Sequence, residues 1–487
     1  MVLLGCGVPA TSGSDDASSG EVGSSSSGDG GEPTTTGADE TSGGEASSGG
    51  ETGEEDVCGP GWADDLALGP TPVMLPEGLA VPIDVMDLRG SFTVDVAGEA
   101  TTVAAQLTFR VGALAGRPVF DLRQEPDAGD LDGEAIGALW LKDLGGGVGS
   151  EVRVLDREVA ACSEHVLTMN YTLVRPPGFA ADPPRFKEDG VAWDLSFNDV
   201  APRMFLEQWL PANLVHDRHP ISLSLEIVGG AADQRVLSNG EVTTPEAGRW
   251  DIAFAADSTA QSPMLVLAPA SEVVSQSVVV DGVELVVHRT EAFSEAPEVL
   301  LDLLGEGFAE FVASTGAYRY PRFVAVISPN AGMEYDGGTT SDVAALSHEL
   351  FHSWFGRGVR PRRGADGWFD EAWNEYNTGD PRYPAAPLGM DGPMVTLCNG
   401  EGWSRTTPLA AYDTGKAVFA GIAAEAGVEP LRAAMREFYG EHAGEPVTTE
   451  MLEQHLHCTL QVEAVRGLFH RYVYGHQGEP TAAAACP

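Results

Sequence analysis

Between about Cys58 and His288, apolar residues recur at every second position, the period of strands that bury one face. "SFTVDV" sets Phe92, Val94 and Val96 on one side, "ISLSLEI" does the same with Ile221, Leu223, Leu225 and Ile227, and "WDIAF" with Trp250, Ile252 and Phe254. "SVVVDGVELVVH" reads as a hairpin closing this region, because Asp281-Gly282 supplies the positive φ angles of a tight turn. The period then changes. Pro297 falls in the first turn of a helix that Ser294 can cap, with an apolar stripe of Val299, Leu300, Leu303 and Leu304 and with Gly316 just past its end. "FVAVIS", from Phe323, reads as a buried strand, and helices follow as far as "LFHRYVYG". The pattern predicts an α+β chain: an N-terminal antiparallel β domain, then a mainly helical domain with a small sheet.

The beginning of the chain follows neither period. From Gly7 to about Asp56 it is Ser, Gly, Thr, Glu and Asp without a basic or aromatic residue, too little apolar surface to offset the entropy of ordering. This predicts a disordered acidic tether over residues 1–57, a β-rich domain over 58–289 and the mainly helical domain over 290–487. Ahead of the tether, Leu3-Leu4-Gly5-Cys6 resembles the lipobox that bacterial signal peptidases cut before a lipid-modified cysteine. Only a few residues precede it, short of a full secretory signal. The resemblance implies a lipid anchor at Cys6 as the membrane contact and an extracytoplasmic place on a bacterial outer membrane or cell surface.

Composition narrows the partners. With 28 basic against 73 acidic residues, the net charge of −45 excludes phosphate backbones, so nucleic acid is not expected. No apolar run is long enough to cross a bilayer. Besides Cys6 there are Cys58, Cys162, Cys398, Cys458 and Cys486, which allow one or two disulfides with a thiol left over, in a pairing that spacing does not decide.

The chemistry lies in "SHELFHSWFG", residues 347–356. His348 and His352 are four apart, so on a helix both imidazoles leave one face and can meet one zinc ion. Glu349 lies beside that face and can act on a water without being a ligand. Ser341 or Asp342 can cap such a helix, and Gly356 is placed to end it. Catalytic zinc takes three protein ligands. Glu371 supplies the third from "GWFDEAWNEYNTGD", a second helix for which Asp366 is the expected cap. Glu375 shares the face of Glu371, either as a solvated helix charge or as an acceptor for a ligand histidine.

With these residues in place the chain resembles the gluzincin metallopeptidases, most of all the aminopeptidase N (alanyl aminopeptidase) family. "HELFHSWFG" is similar to that family's His-Glu-x-x-His-x-Trp-Phe-Gly, and "WFDEAW" to its Trp-Leu-Asn-Glu-Gly-Phe. "AGMEY" resembles its Gly-x-Met-Glu-Asn and "YDTGKAVF" its Tyr-x-x-Gly segment. The resemblance implies a thermolysin-like catalytic domain with one zinc ion on His348, His352 and Glu371. Glu349 and Tyr412 are its implied catalytic residues, and Glu334 the carboxylate that holds a peptide substrate's free α-amine. Tyr335 departs from the usual asparagine, the gap from Glu334 to His348 is short, and the sequence stops after the catalytic region. "GRGVRPRRG" is also similar to the glycyl aminopeptidase family. The expected function is zinc-dependent removal of N-terminal residues from peptides. An endopeptidase of the same clan and an inactive zinc-containing surface binding protein are the alternatives.

Overall fold

A computed structural model describes residues 57–476, apart from 146–149, 177–180, 189, 214–215, 230–232, 291–294, 330, 380–381, 383, 399–402 and 404–405. The chain divides into two units, Met1–Val57 and Cys58–Pro487, and every element below belongs to the second. Cys6, the acidic segment, Ser294 and Cys486 lie outside the described residues.

The alternating segments build a 12-stranded sheet. At its centre is Gly78–Asp95, an 18-residue strand antiparallel to Ala100–Val111, which in turn pairs with Glu164–Thr172. On its other side Gly78–Asp95 runs parallel to Ile221–Val228, with Leu223 opposite Gly90. The sheet is therefore mixed where alternation alone predicted antiparallel pairing, because period two reports which face is buried and not which way the neighbour runs. A second sheet contains Gly190–Asp194 and Leu265–Pro269. Phe92 of the first sheet meets Trp193 of the second edge-to-face at 5.2 Å.

The predicted hairpin forms from Val273–Val280 and Val283–Thr290, with φ of 50° at Asp281 and 85° at Gly282. Its second strand pairs in parallel with Arg322–Ile327, within a five-stranded sheet that also holds Gly338–Ser341 and Gly332–Tyr335. Helix α1 (Pro297–Thr315) makes the crossover between the two parallel strands. Its buried stripe is Leu300, Leu301, Leu304, Phe308 and Phe311. Val299 and Leu303, expected inside, are 49% and 48% exposed. The expected stripe is rotated by about one residue, because the Phe308 and Phe311 rings set the face by packing on Trp354. Gly316 follows at φ 140° and ends the helix.

Three further helices complete what positions the site: α2 (Leu346–Phe351), α3 (Trp368–Thr378) and α4 (Lys416–Ala426). Their apolar sides share one core with α1, including Leu350, Phe351, Ala372, Trp373 and Phe419. Cys58 and Cys162 form a disulfide, Cys458 is also disulfide-bonded, and Cys398 is a buried free thiol.

Candidate metal centre

The quoted stretch folds into a helix shorter than its pattern predicts. Asp342 accepts a hydrogen bond from the Ala345 amide at 2.9 Å, and Val343 to Ala345 form a turn that leads into α2. Ser341 belongs to a strand instead. His352 lies one residue past α2 but keeps helical angles, φ −56° and ψ −20°, so the two imidazoles still leave one face. Gly356 has φ 109°, and a Cβ there would overlap the Asp370 carboxylate. A glycine is needed both for the backbone and for the space.

Helix α3 brings the carboxylates. Gly367, not Asp366, is its N-cap. Asp366 instead accepts from the Arg363 amide at 3.1 Å and from the Thr449 amide and hydroxyl at 2.9 and 2.8 Å, fastening this region to a later helix. Asp370, Glu371, Asn374, Glu375 and Thr378 then recur at helical spacing on the side toward α2. The Asn374 amide donates to the His348 carbonyl at 2.8 Å. Asp370 Oδ1 lies 2.5 Å from His352 Nδ1, and Glu375 Oε1 3.4 Å from His348 Nδ1. Each ring is held from behind with its Nε2 aimed forward. Glu375 thus stands beside His348, a salt-bridge neighbour of Lys416 at 3.4 Å, and not as a solvated helix charge.

The two Nε2 atoms are 3.1 Å apart, and Glu371 Oε2 is 3.3 Å from His348 Nε2 and 3.7 Å from His352 Nε2. Tetrahedral zinc with bonds of about 2.0–2.2 Å places neighbouring ligand atoms about 3.3 Å apart. Glu371 Oε2 is buried without a hydrogen-bond partner, as is Glu349 Oε2. These two orphaned acceptors and the three spacings fit a zinc ion.

The electrostatics agree with the geometry. Burial and neighbouring His352 push His348 down to about 4, which keeps its nitrogens neutral. Burial opposes charge on His352, but Asp370, Glu334 and Glu371 outweigh it and hold its pKa well above the usual range. Burial, reinforced by Glu334 and Asp370 against the pull of His352, raises Glu371 to about 8. Burial and the Glu334 charge likewise push Glu349 well up. Carboxylates this crowded call for a cation in their midst.

Tyr412 sits in a π-helical turn, Ala411–Gly415, of the kind that often marks functional positions. Its ring stacks on His348 at 6.4 Å with an interplanar angle of 11°. Burial and the charges of Glu371 and Asp199 raise its hydroxyl well above the usual range, so it stays a donor. Glu334 is placed differently from the other predicted residues. It is 4% exposed, Arg357 donates to its Oε1 at 2.7 Å, and it shares a cluster with His352 and Asp370.

Sequence reasoning missed Asp370, Asn374 and Arg357. Asp370 and Asn374 were within reach, since they are four apart in the same helical stretch that supplies Glu371. The pairing of Arg357 with Glu334 spans 23 residues and leaves no local signal.

No protein-family model matches the chain, and no curated protein does. Solved structures do. An M1 zinc metallopeptidase from Deinococcus radiodurans matches with a TM-score of 0.58 at 18% identity, over 82% of this chain and 95% of that one. Native yeast LTA4 hydrolase matches at 0.61 and 12%, over 82% and 68%. Legionella pneumophila aminopeptidase A, in complex with aspartic acid, matches at 0.59 and 12%, over 81% and 50%. The chain has the fold of the M1 zinc metallopeptidases, with its N-terminal β sheets and helical C-terminal part.

Proposed function

We propose, from the fold shared with the M1 zinc metallopeptidases, that this chain is a zinc-dependent peptidase removing residues from the free amino terminus of peptides. The observation that carries the reading is the convergence of His348 Nε2, His352 Nε2 and Glu371 Oε2 within 3.7 Å of one another, with Glu349 Oε2, one residue on from His348, buried and without a hydrogen-bond partner. Zinc held by these three residues would supply a Lewis acid that acidifies water and polarises a peptide carbonyl.

The chain's own residues do the rest. Glu349, desolvated by burial, takes the water's proton and returns it to the leaving amine, which its raised pKa favours. The Tyr412 hydroxyl, which remains protonated, donates to the oxyanion. Asp370 and Glu375 keep the imidazoles in register. A mutant of the Deinococcus enzyme has been solved with a Tyr-Ser-Ala substrate, which supports a peptide as the substrate class here.

One observation favours a second reading. Glu334, the expected anchor for a free amine, already receives the Arg357 guanidinium, so an endopeptidase that ignores the amino terminus follows if that pair persists with substrate bound. Paired substrates with free and acetylated amines, assayed with and without a chelator, separate the two. Glu349→Gln is expected to retain zinc and to lose hydrolysis. Turnover unchanged in that variant overturns the mechanism for both readings, whereas a zinc-loaded chain that hydrolyses neither substrate favours an inactive binder. We place the protein outside the cytoplasm, attached through lipid on Cys6, a reading supported by the Cys58–Cys162 disulfide.

A further inference from the structure

A cavity beside the candidate metal centre is walled by Asp199 and Gln261 from the β-rich part of the chain and by Glu334, Arg357, Arg363 and Asp370 from the part that follows. Glu334 and Asp370 tie it to His352, since the three offer ligand atoms within 4.8 Å of one another. His348, Glu349, Glu371 and Tyr412 are not in its wall. The charge of Asp199 nevertheless acts on Glu349 and Tyr412, so the cavity lies close to the reacting groups without including them.

Asp199 is held there by its backbone. Its carbonyl accepts from the Thr407 amide at 2.8 Å, and the Asn198 amide before it donates to the Met204 carbonyl at 2.9 Å. Of the charged side chains in the wall, the others are answered. Arg357 donates to Glu334 at 2.7 Å and to Gln261 at 2.6 Å, Arg363 to Asp366 at 2.9 Å and to Glu450 at 3.3 Å, and Asp370 bonds to His352. Asp199 makes no ion pair and no side-chain hydrogen bond among the described residues. A carboxylate that an arriving substrate shields from water is costly unless the same substrate brings it a cation.

We infer that Asp199 is a specificity-determining residue, which selects peptides whose first side chain is basic, lysine or arginine. The inference rests on the peptidase reading for the reaction and on the cavity for the side chain. A substrate's α-nitrogen is two bonds from the carbonyl carbon under attack and stays by the metal. Lysine and arginine carry their charge several bonds beyond the α-carbon, far enough to enter a cavity whose wall excludes Glu349, Glu371 and Tyr412. Because Arg357 already takes the Glu334 carboxylate and His352 takes that of Asp370, Asp199 is the negative charge this wall still offers.

The test compares arginine with citrulline, which keeps the shape and lacks the charge. Free arginine and free citrulline are titrated calorimetrically into the zinc-loaded full chain, and hydrolysis of Arg-Ser-Ala and citrulline-Ser-Ala is measured alongside. At least a tenfold preference for arginine is expected in both readouts, falling to near one in Asp199→Asn with zinc content unchanged. The Thr407 contact is made by the backbone and survives that change, so the variant is expected to fold; Asp199→Ser gives the same reading if it does not. A wild-type chain that treats the two alike, or a folded variant that keeps the preference, overturns the inference. Arginine-selective binding in a chain that hydrolyses neither peptide overturns the peptidase reading instead and leaves the selectivity of Asp199 standing.

Discussion

Replacing Asp370 by asparagine tests whether the carboxylate behind His352 sustains the zinc site. The change keeps the shape and removes the charge from a 2.5 Å contact to Nδ1. Two effects oppose each other. A hydrogen bond to a charged group contributes about 1.5–3 kcal/mol, and its loss frees the imidazole to turn and lowers its basicity as a ligand. Against that, Asp370 also raises the pKa of Glu371 and of Asp199, so its removal relieves repulsion in the same cluster. The first effect dominates when a divalent cation is present, because the cation already answers the repulsion at Glu371, while among the described residues Asp370 alone bonds to His352 Nδ1. The expected result is a 10- to 100-fold loss of zinc affinity, about 1.4–2.8 kcal/mol. Competition with a chelator of known affinity at fixed pH measures it, and the activity remaining at saturating zinc separates binding from chemistry. Gly356→Ala should weaken zinc binding by the same route, since its methyl group would occupy the place of the Asp370 carboxylate. Unchanged zinc affinity in Asp370→Asn refutes the argument.

Other outcomes follow from the same geometry. Tyr412→Phe is expected to lower kcat by about 10²–10³ with zinc content unchanged, the usual effect of losing one oxyanion donor; full activity would remove Tyr412 from the chemistry. Burial, with Arg235 and Arg322 adding to it, pushes His288 down to about 4. Because its unfolded pKa is about 6.5, the stability it contributes is complete above that value and lost as pH falls toward 4, by up to about 3 kcal/mol. His288→Asn should flatten that part of the acid slope in urea unfolding at pH 7 and pH 4.5, and an identical slope in the variant would count against it.

The candidate site was legible to the extent that it is local. His348, Glu349 and His352 fall within five residues, so helical geometry alone brings them into register, while Glu371, nineteen further on, reaches them from the separate helix α3. The helix boundaries were less so. Asp366 has the chemistry of a cap, but its carboxylate is taken by Thr449, and only the fold shows that competition. The same holds for Val299 and Leu303, whose apolar character gave no sign that Phe308 and Phe311 would turn the helix away from them. Alternation located the strands Gly78–Asp95 and Ile221–Val228 but was silent on their running parallel, since strand direction is decided by the connection between them. Glu334 was read through a motif as a residue facing substrate. Its guanidinium partner comes from beyond α2, and an ion pair between distant segments leaves no trace in either segment's periodicity.

The pairing of Val283–Thr290 with Arg322–Ile327 has a practical consequence for anyone wishing to express the zinc-bearing half alone. A fragment starting at residue 290 would discard both strands of the hairpin, remove Leu285 and Val287 from the helical core, and bare the backbone edge of Arg322–Ile327. An unprotected edge of that kind recruits other chains. Such a truncation should precipitate, whereas one starting ahead of Val273 carries its own protection.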